Sequence, residues 1–297
     1  MDTFEVADGV YGIDFELFDA GVGAVYLLDD DEPTLVDAGT AAGVDAIVDG
    51  MAEWGVEPAD LSHLVCSHVH VDHSGGASAL VEANPDVEVY IHESTVDHLV
   101  DPGALVASSR RAMGDLFELM GEQGPVPREN VTAVPDAGAT LELGSNTLEL
   151  LHAPGHSPDH LAAWNPERGL LLASECLGYH FQRADRWVPP ATLPNFDVDL
   201  VDEAIDRLAE LDPDRIAFPH FGVWPDDPEV AFETATRELH RFDERILELY
   251  DQHGSLQETA AVVGEELLDL APPYDDSVER FYRELLTAGF LRHHGIE

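Results

Sequence analysis

Ser67-His68-Val69-His70-Val71-Asp72-His73-Ser74-Gly75-Gly76 is the stretch on which the reading of this chain turns. Three imidazoles and one carboxylate fall within the six residues 68–73. The mostly apolar run 61–66 before it predicts a short strand, and the run 77–83 after it predicts a helix. A loop leaving a strand end can point alternate residues in opposite directions. His68 and His70 can then face one metal ion while Asp72 and His73 face a second beside it. Imidazole and carboxylate donors suit zinc, and also iron or manganese.

Working outward, two more metal donors are needed at least, and strand ends supply candidates. Ala153-Pro154-Gly155-His156-Ser157 follows a strand predicted over 147–151, and its Pro-Gly turn presents His156 at the tip. Ser174-Glu175-Cys176 follows a strand predicted over 170–173 and places a carboxylate there. Pro219-His220 follows a strand predicted over 215–218. Three strands ending in donors is the arrangement expected when one end of a sheet sandwich holds a site.

The rest of the chain reads as follows. Strands are predicted over 25–28, 34–36, 87–91, 131–134, 140–143 and 162–164, with a hairpin at Gly144-Ser145-Asn146. Helices are predicted over 44–54 and 201–211. A long helical stretch is expected over 94–123, with Leu116, Phe117, Leu119 and Met120 as its apolar stripe. Alternating strands and helices argue for an α/β layered fold. Beyond Pro228 three helical stretches follow without a strand, at about 229–251, 256–269 and 275–291. The expected division is therefore a catalytic domain over 1–228 and a helical extension over 229–297.

In order and content these segments resemble the metallo-β-lactamase-fold hydrolase superfamily. His68-x-His70-x-Asp72-His73 is similar to its central motif, Pro154-Gly155-His156 to its third-histidine motif and His220 to the last. Val36-Asp37-Ala38-Gly39 is similar to the early motif whose Asp supports the site. The resemblance covers roughly residues 4–222 and implies an αβ/βα four-layer sandwich, two mixed sheets face to face with helices outside. It implies one ion on His68, His70 and His156 and a second on Asp72, His73 and His220. The two ions, zinc by expectation with iron or manganese as alternatives, would activate a water, with Asp72 as proton acceptor. The family usually carries an Asp that bridges both ions where this chain has Glu175, one methylene longer. Glu175 can bridge after an adjustment, bind one ion, or fall short. Asp37 is expected either to support a ligand or to form a turn.

Composition narrows the function. The 297 residues carry 60 acidic side chains against 14 basic ones, a formal net charge of -46. Every basic residue is Arg. Because apolar segments recur throughout, this reads as a folded, halophile-type protein with a densely acidic surface, whose self-repulsion salt screens. Such a surface argues against nucleic acid as partner, and the absence of Lys excludes Schiff-base chemistry on lysine. No run of 18 apolar residues predicts a membrane span. The acidic N-terminus is no secretory signal, and Cys66 and Cys176 make no disulfide framework. A cytoplasmic location is expected.

Four functions compete. Hydrolysis of a thioester or other small acyl compound leads, resembling the glyoxalase II-like and acyl thioesterase branches, where C-terminal helices shape the substrate entrance. An RNase Z-like nuclease conflicts with the charge, and a secreted β-lactamase with the absence of a signal peptide. A mono-iron persulfide-dioxygenase type remains open through Glu175; a flavodiiron type usually carries Glu where His70 stands. Tyr179 and His180 are candidate substrate contacts, as are Arg110 and Arg111. Cys176 reads as a small buried residue, His63, His92, His98 and His152 as structural, His160 as a loop or supporting residue, and His293 and His294 as solvated.

Overall fold

The computed structural model describes residues 2–220 and 222–296. Its chain contacts divide it into two compact units. One comprises residues up to 152 with 159–174 and 216–223. The other comprises 153–158, 175–215 and 224 onward.

The first unit is built on two sheets. Seven strands run in sequence order: β1 (Asp2–Ala7), β2 (Val10–Asp14), β3 (Ala24–Leu28), β4 (Thr34–Val36), β5 (His63–Val65), β6 (Glu88–His92) and β7 (Val131–Val134). The first three pairings are antiparallel and the last three parallel. β3, β4 and β5 are short and almost wholly apolar, as strands covered on both faces must be. The second sheet holds β8 (Ala139–Glu142), β9 (Thr147–His152), β10 (Leu161–Asn165) and β11 (Leu170–Leu172). The ribbon β12 (Tyr179–Phe181) and β13 (Arg186–Val188) belongs to the other unit, and β14 (Arg215–Phe218) and β15 (Gly222–Val223) complete the second sheet. The inner faces meet in one buried cluster. Tyr26, Leu28, Val36 and Val65 come from one sheet; Leu148, Leu150, Leu161 and Leu172 come from the other. Each fully buried leucine there contributes about 1.5–3 kcal/mol relative to exposure.

Helices α1 (Val44–Glu53) and α2 (Ala77–Ala83) lie in the first unit and bury Val44, Ile47, Met51, Leu80 and Val81. The long helix expected over 94–123 is broken. Two short helices, α3 (Val96–Val100) and α4 (Gly103–Met113), are followed by a 3-10 turn over Gly114–Leu119. Asp101-Pro102 interrupts it because the residue before proline is pushed out of the helical region, and Gly114 leaves with φ 57°. Of the expected apolar stripe Phe117 and Met120 are buried, whereas Leu119 is exposed.

The second unit contains α5 (Val198–Ala209), α6 (Pro228–His253), α7 (Leu256–Val263) and α8 (Asp276–His293), with a π-helical turn over Gly264–Leu268. α6 starts at the compositional break after residue 228. Asp197, Asp227, Ser255 and Asp275 each cap a helix by accepting a backbone N–H. No described helix is long and apolar enough to cross a membrane.

Candidate metal centre

β4 and β5 are parallel neighbours, so the segments that leave their ends meet. Asp37 leaves β4 at φ 64°, a left-handed conformation that Asp tolerates better than most residues. Its backbone N–H donates to Val65 O at 2.7 Å. Its carboxylate accepts the Ser67 N–H at 2.8 Å on one oxygen and the His73 Nδ1–H at 2.9 Å on the other. Asp37 is thus both turn and support. Further along, the Val69 N–H donates to Asp159 Oδ2 at 2.8 Å, and Ser67 O accepts the Leu161 N–H at 2.7 Å. The 70–74 segment closes one helical turn: the Ser74 N–H donates to His70 O at 2.9 Å. Gly75 finishes the loop because nothing larger fits. A Cβ there would stand 2.2 Å from Val71 O and 2.9 Å from Ala41 N.

This scaffold brings two donor groups together within the first unit. His68 Nε2 and His70 Nδ1 stand 2.9 Å apart. Asp72 Oδ2 stands 3.8 Å from His73 Nε2 and 3.7 Å from His220 Nε2. The His68 and His73 rings adjoin, with centroids 4.2 Å apart, so the groups are neighbours. His73, His220 and His68 are buried, while Asp72 keeps 26% of its side-chain surface open.

The second unit pairs His156 Nε2 with Glu175 Oε2 at 2.8 Å. His156 Nδ1 lies 2.8 Å from Pro190 O, and the Tyr179 hydroxyl donates to Glu175 Oε1 at 2.8 Å. Gly155 has φ 140°, and a Cβ there would meet Val201 N at 2.5 Å.

The donor chemistry fits metal ions. A carbonyl or carboxylate only accepts, so His73, His156 and His220 each carry their proton on Nδ1, facing Asp37, Pro190 O and Val22 O. Each therefore turns an Nε2 lone pair toward a carboxylate. Two acceptors so placed call for a shared proton or a cation. Anchoring the remote ring nitrogen is how metal-binding histidines are held. The carboxylate–imidazole separations of 3.7 and 3.8 Å are slightly wider than the roughly 3.4 Å edge of a tetrahedron with ~2.1 Å bonds.

The other candidates are placed as follows. Tyr179 and His180 are adjacent on β12 and diverge. Tyr179 reaches Glu175, whereas His180 lies between the Trp187 and Trp224 rings, 6.0 and 4.8 Å away by centroid. Burial pushes the His180 imidazole below its usual range despite Asp185 beside it. Cys176 is buried, and burial with Glu175 beside it raises its thiol well above the usual range, so it stays protonated. Arg110 pairs with Glu122 at 2.6 Å and covers the Phe117 ring. His160 is fully buried against His68, with centroids 4.9 Å apart. His293 and His294 are engaged rather than merely solvated: His293 Nδ1 accepts the Val198 N–H, and His294 Nε2 lies 2.6 Å from Asp243. Sequence reasoning missed Asp159, the anchor of Val69, which also accepts the Thr95 hydroxyl at 3.0 Å. Its one signal was an acid in a Ser-Pro-Asp turn directly before an apolar strand.

A family model, that of the metallo-beta-lactamase superfamily, matches residues 18–220. The chain belongs to the metallo-beta-lactamase superfamily. A probable metallo-hydrolase of Bacillus subtilis is 25% identical over 231 residues, 73% of this chain and 85% of that one. A coenzyme F420H2 oxidase of Methanothermobacter marburgensis is 26% identical over 74% of this chain and 54% of its own length. Among solved structures, an archaeal metallo-beta-lactamase superfamily protein from Sulfolobus tokodaii aligns over 97% of this chain and 98% of its own. Its TM-score is 0.69 at 17% identity. The two facing sheets with their helices are the superfamily's sandwich, with C-terminal helices added. Superfamily members are mostly metal-dependent hydrolases, with oxidoreductases among the relatives of this chain.

Proposed function

We propose that this chain is a dinuclear, zinc-dependent hydrolase acting on a thioester or another small acyl compound. The observation that carries the reading is the position of Asp72. Its Oδ2 stands between the Nε2 atoms of His73 and His220, both rings locked through Nδ1. In this reading His68, His70 and His156 hold one ion, and Asp72, His73 and His220 hold the other. Covalent order supports joining His156 and Glu175 to them, because the chain delivers both from the ends of first-unit strands, β9 and β11. Bound there, the ions would lower the pKa of a water from 15.7 towards about 7 and polarise the acyl carbonyl.

The chain's own groups complete the chemistry. Asp72 keeps part of its surface open to solvent and is placed to take the proton of that water. Glu175 has Oε1 on the Tyr179 hydroxyl and Oε2 on His156, an arrangement that favours its serving the His156 ion over bridging two. Asp37 fixes the His73 tautomer. The acidic surface favours a small substrate over nucleic acid. The helices after 228 are proposed to shape the substrate entrance.

The Glu175 geometry also sustains a second reading, a single-iron oxygenase of the persulfide-dioxygenase type. Elemental analysis of protein purified in high salt separates the two. Two zinc ions bound at this centre, over and above any held elsewhere on the chain, with thioester or lactone hydrolysis support the first; one iron there with oxygen uptake supports the second. His70→Ala and Asp72→Ala should each abolish hydrolysis while leaving the circular dichroism of the fold intact. Retained turnover in either sinks the hydrolase reading.

A further inference from the structure

A third constellation of donors lies in the first unit and belongs to none of the chemistry above. His92 ends β6 in one sheet, His152 ends β9 in the other, and Asp136 follows β7. The two rings stack with centroids 4.2 Å apart and planes 19° apart. Asp136 Oδ1 lies 3.0 Å from His92 Nε2 and 3.6 Å from His152 Nδ1. These three donor atoms all fall within 4.8 Å of one another.

We propose that His92, Asp136 and His152 form a separate transition-metal site of the zinc class that clips the two sheets together at one end. The Asp136–His92 separation of 3.0 Å fits the edge, about 3.0–3.4 Å, of a coordination shell with ~2.1 Å bonds, and the Asp136–His152 separation of 3.6 Å is slightly wider. The rings run nearly parallel, so binding one ion requires the partly exposed His152 to turn toward His92. His92 is buried, and its Nδ1 lies 2.8 Å from Ser94 Oγ, which takes the ring proton once Nε2 binds the ion. In the metal-free state the Ser94 N–H donates to Nδ1 and the proton sits on Nε2, facing Asp136. Loading therefore shifts the neutral ring to its Nδ1–H tautomer, which donates to Ser94 Oγ, with no net proton released. Asp136 is 77% exposed, so the remaining coordination positions go to water. Two imidazoles, one carboxylate and water suit zinc, nickel or copper. The site has no path to catalysis in this reading; its role is a further cross-link between sheets whose inner faces pack through an apolar cluster.

The test counts ions. Chelator-treated wild type, His152→Gln and Asp136→Asn are equilibrated with zinc(II) at one fixed free concentration in high salt, and the zinc bound per chain is measured. The wild type should hold one ion more than either variant, and added zinc should raise its Tm further. Both substituted side chains are partly or largely exposed, so the variants keep the fold. The same one-ion difference should persist in a His70→Ala background, which makes the result independent of whether the first centre hydrolyses anything. An unchanged count in either variant overturns the proposal and leaves a proton-bridged His–Asp–His contact in its place.

Discussion

The two sets of donors in the proposed centre are held by different means. Residues 67–74 are pinned chiefly by their own backbone. The Ser67 and Val69 N–H groups end on the carboxylates of Asp37 and Asp159, and the Ser74 N–H closes onto His70 O. His156 and Glu175 are positioned mainly through side chains, by Pro190 O and the Tyr179 hydroxyl. The contrast teaches that the first set tolerates loss of a side chain poorly when that side chain holds the backbone. The second should degrade by smaller steps.

Gly75→Ala should produce the largest effect. The added Cβ meets Val71 O at 2.2 Å, a backbone atom that cannot swing aside. Such overpacking costs about 3 kcal/mol or more, read as a lower denaturation midpoint with metal binding lost. A variant of wild-type stability breaks the claim that the loop is backbone-packed. Asp37→Asn comes next. The amide can still accept the Ser67 N–H, but its NH2 meets the His73 Nδ1–H donor to donor. Metal affinity should fall by roughly 10–100-fold with the fold kept, checked by competition with a chromophoric chelator. Tyr179→Phe removes a single hydroxyl from Glu175 Oε1 and should cost about 0.5–1.5 kcal/mol of stability, with metal affinity changed less than by Asp37→Asn. A larger loss than in Asp37→Asn would reverse the comparison.

The smallest expected effect is one of pH. His180 titrates below its ordinary value of 6.5 in the folded chain. As pH falls below that value, the unfolded chain takes up the proton first, so stability is lost until the lower folded pKa is passed. Above 6.5 both states are neutral and the group contributes no slope. His180→Gln should flatten the slope of Tm against pH between 6.5 and the folded value. An identical slope in wild type and variant would show that His180 is not the group responsible.

Much of this was legible because it is local. The loop 67–76 declares its donors in ten consecutive residues, and β4, α2 and the hairpin between β8 and β9 follow from apolar runs and turn residues that need no distant partner. What escaped depends on distance or on short length. β12 and β13 have three residues each, too few for a period. In β1 and β2 Asp and Glu interrupt the apolar period, which hides strands that pair as a hairpin. The helical propensity of 94–123 is overridden at Pro102, whose ring pushes Asp101 out of the helical region, and at Gly114, which leaves at positive φ. The grouping of 153–158 and 175–215 with the terminal helices is written in tertiary contacts, not in any local pattern. Asp159 became visible only when the Val69 amide was seen to end on it.

The carboxylate anchors of Ser67 and Val69 have one more consequence. Neither anchor depends on an ion, so the chain pays the ordering entropy of that loop during folding rather than at loading. Capture of an ion becomes a matter of ligand exchange and dehydration at a nest already formed. Stripping it should leave amide-hydrogen protection at Ser67 and Val69 in place.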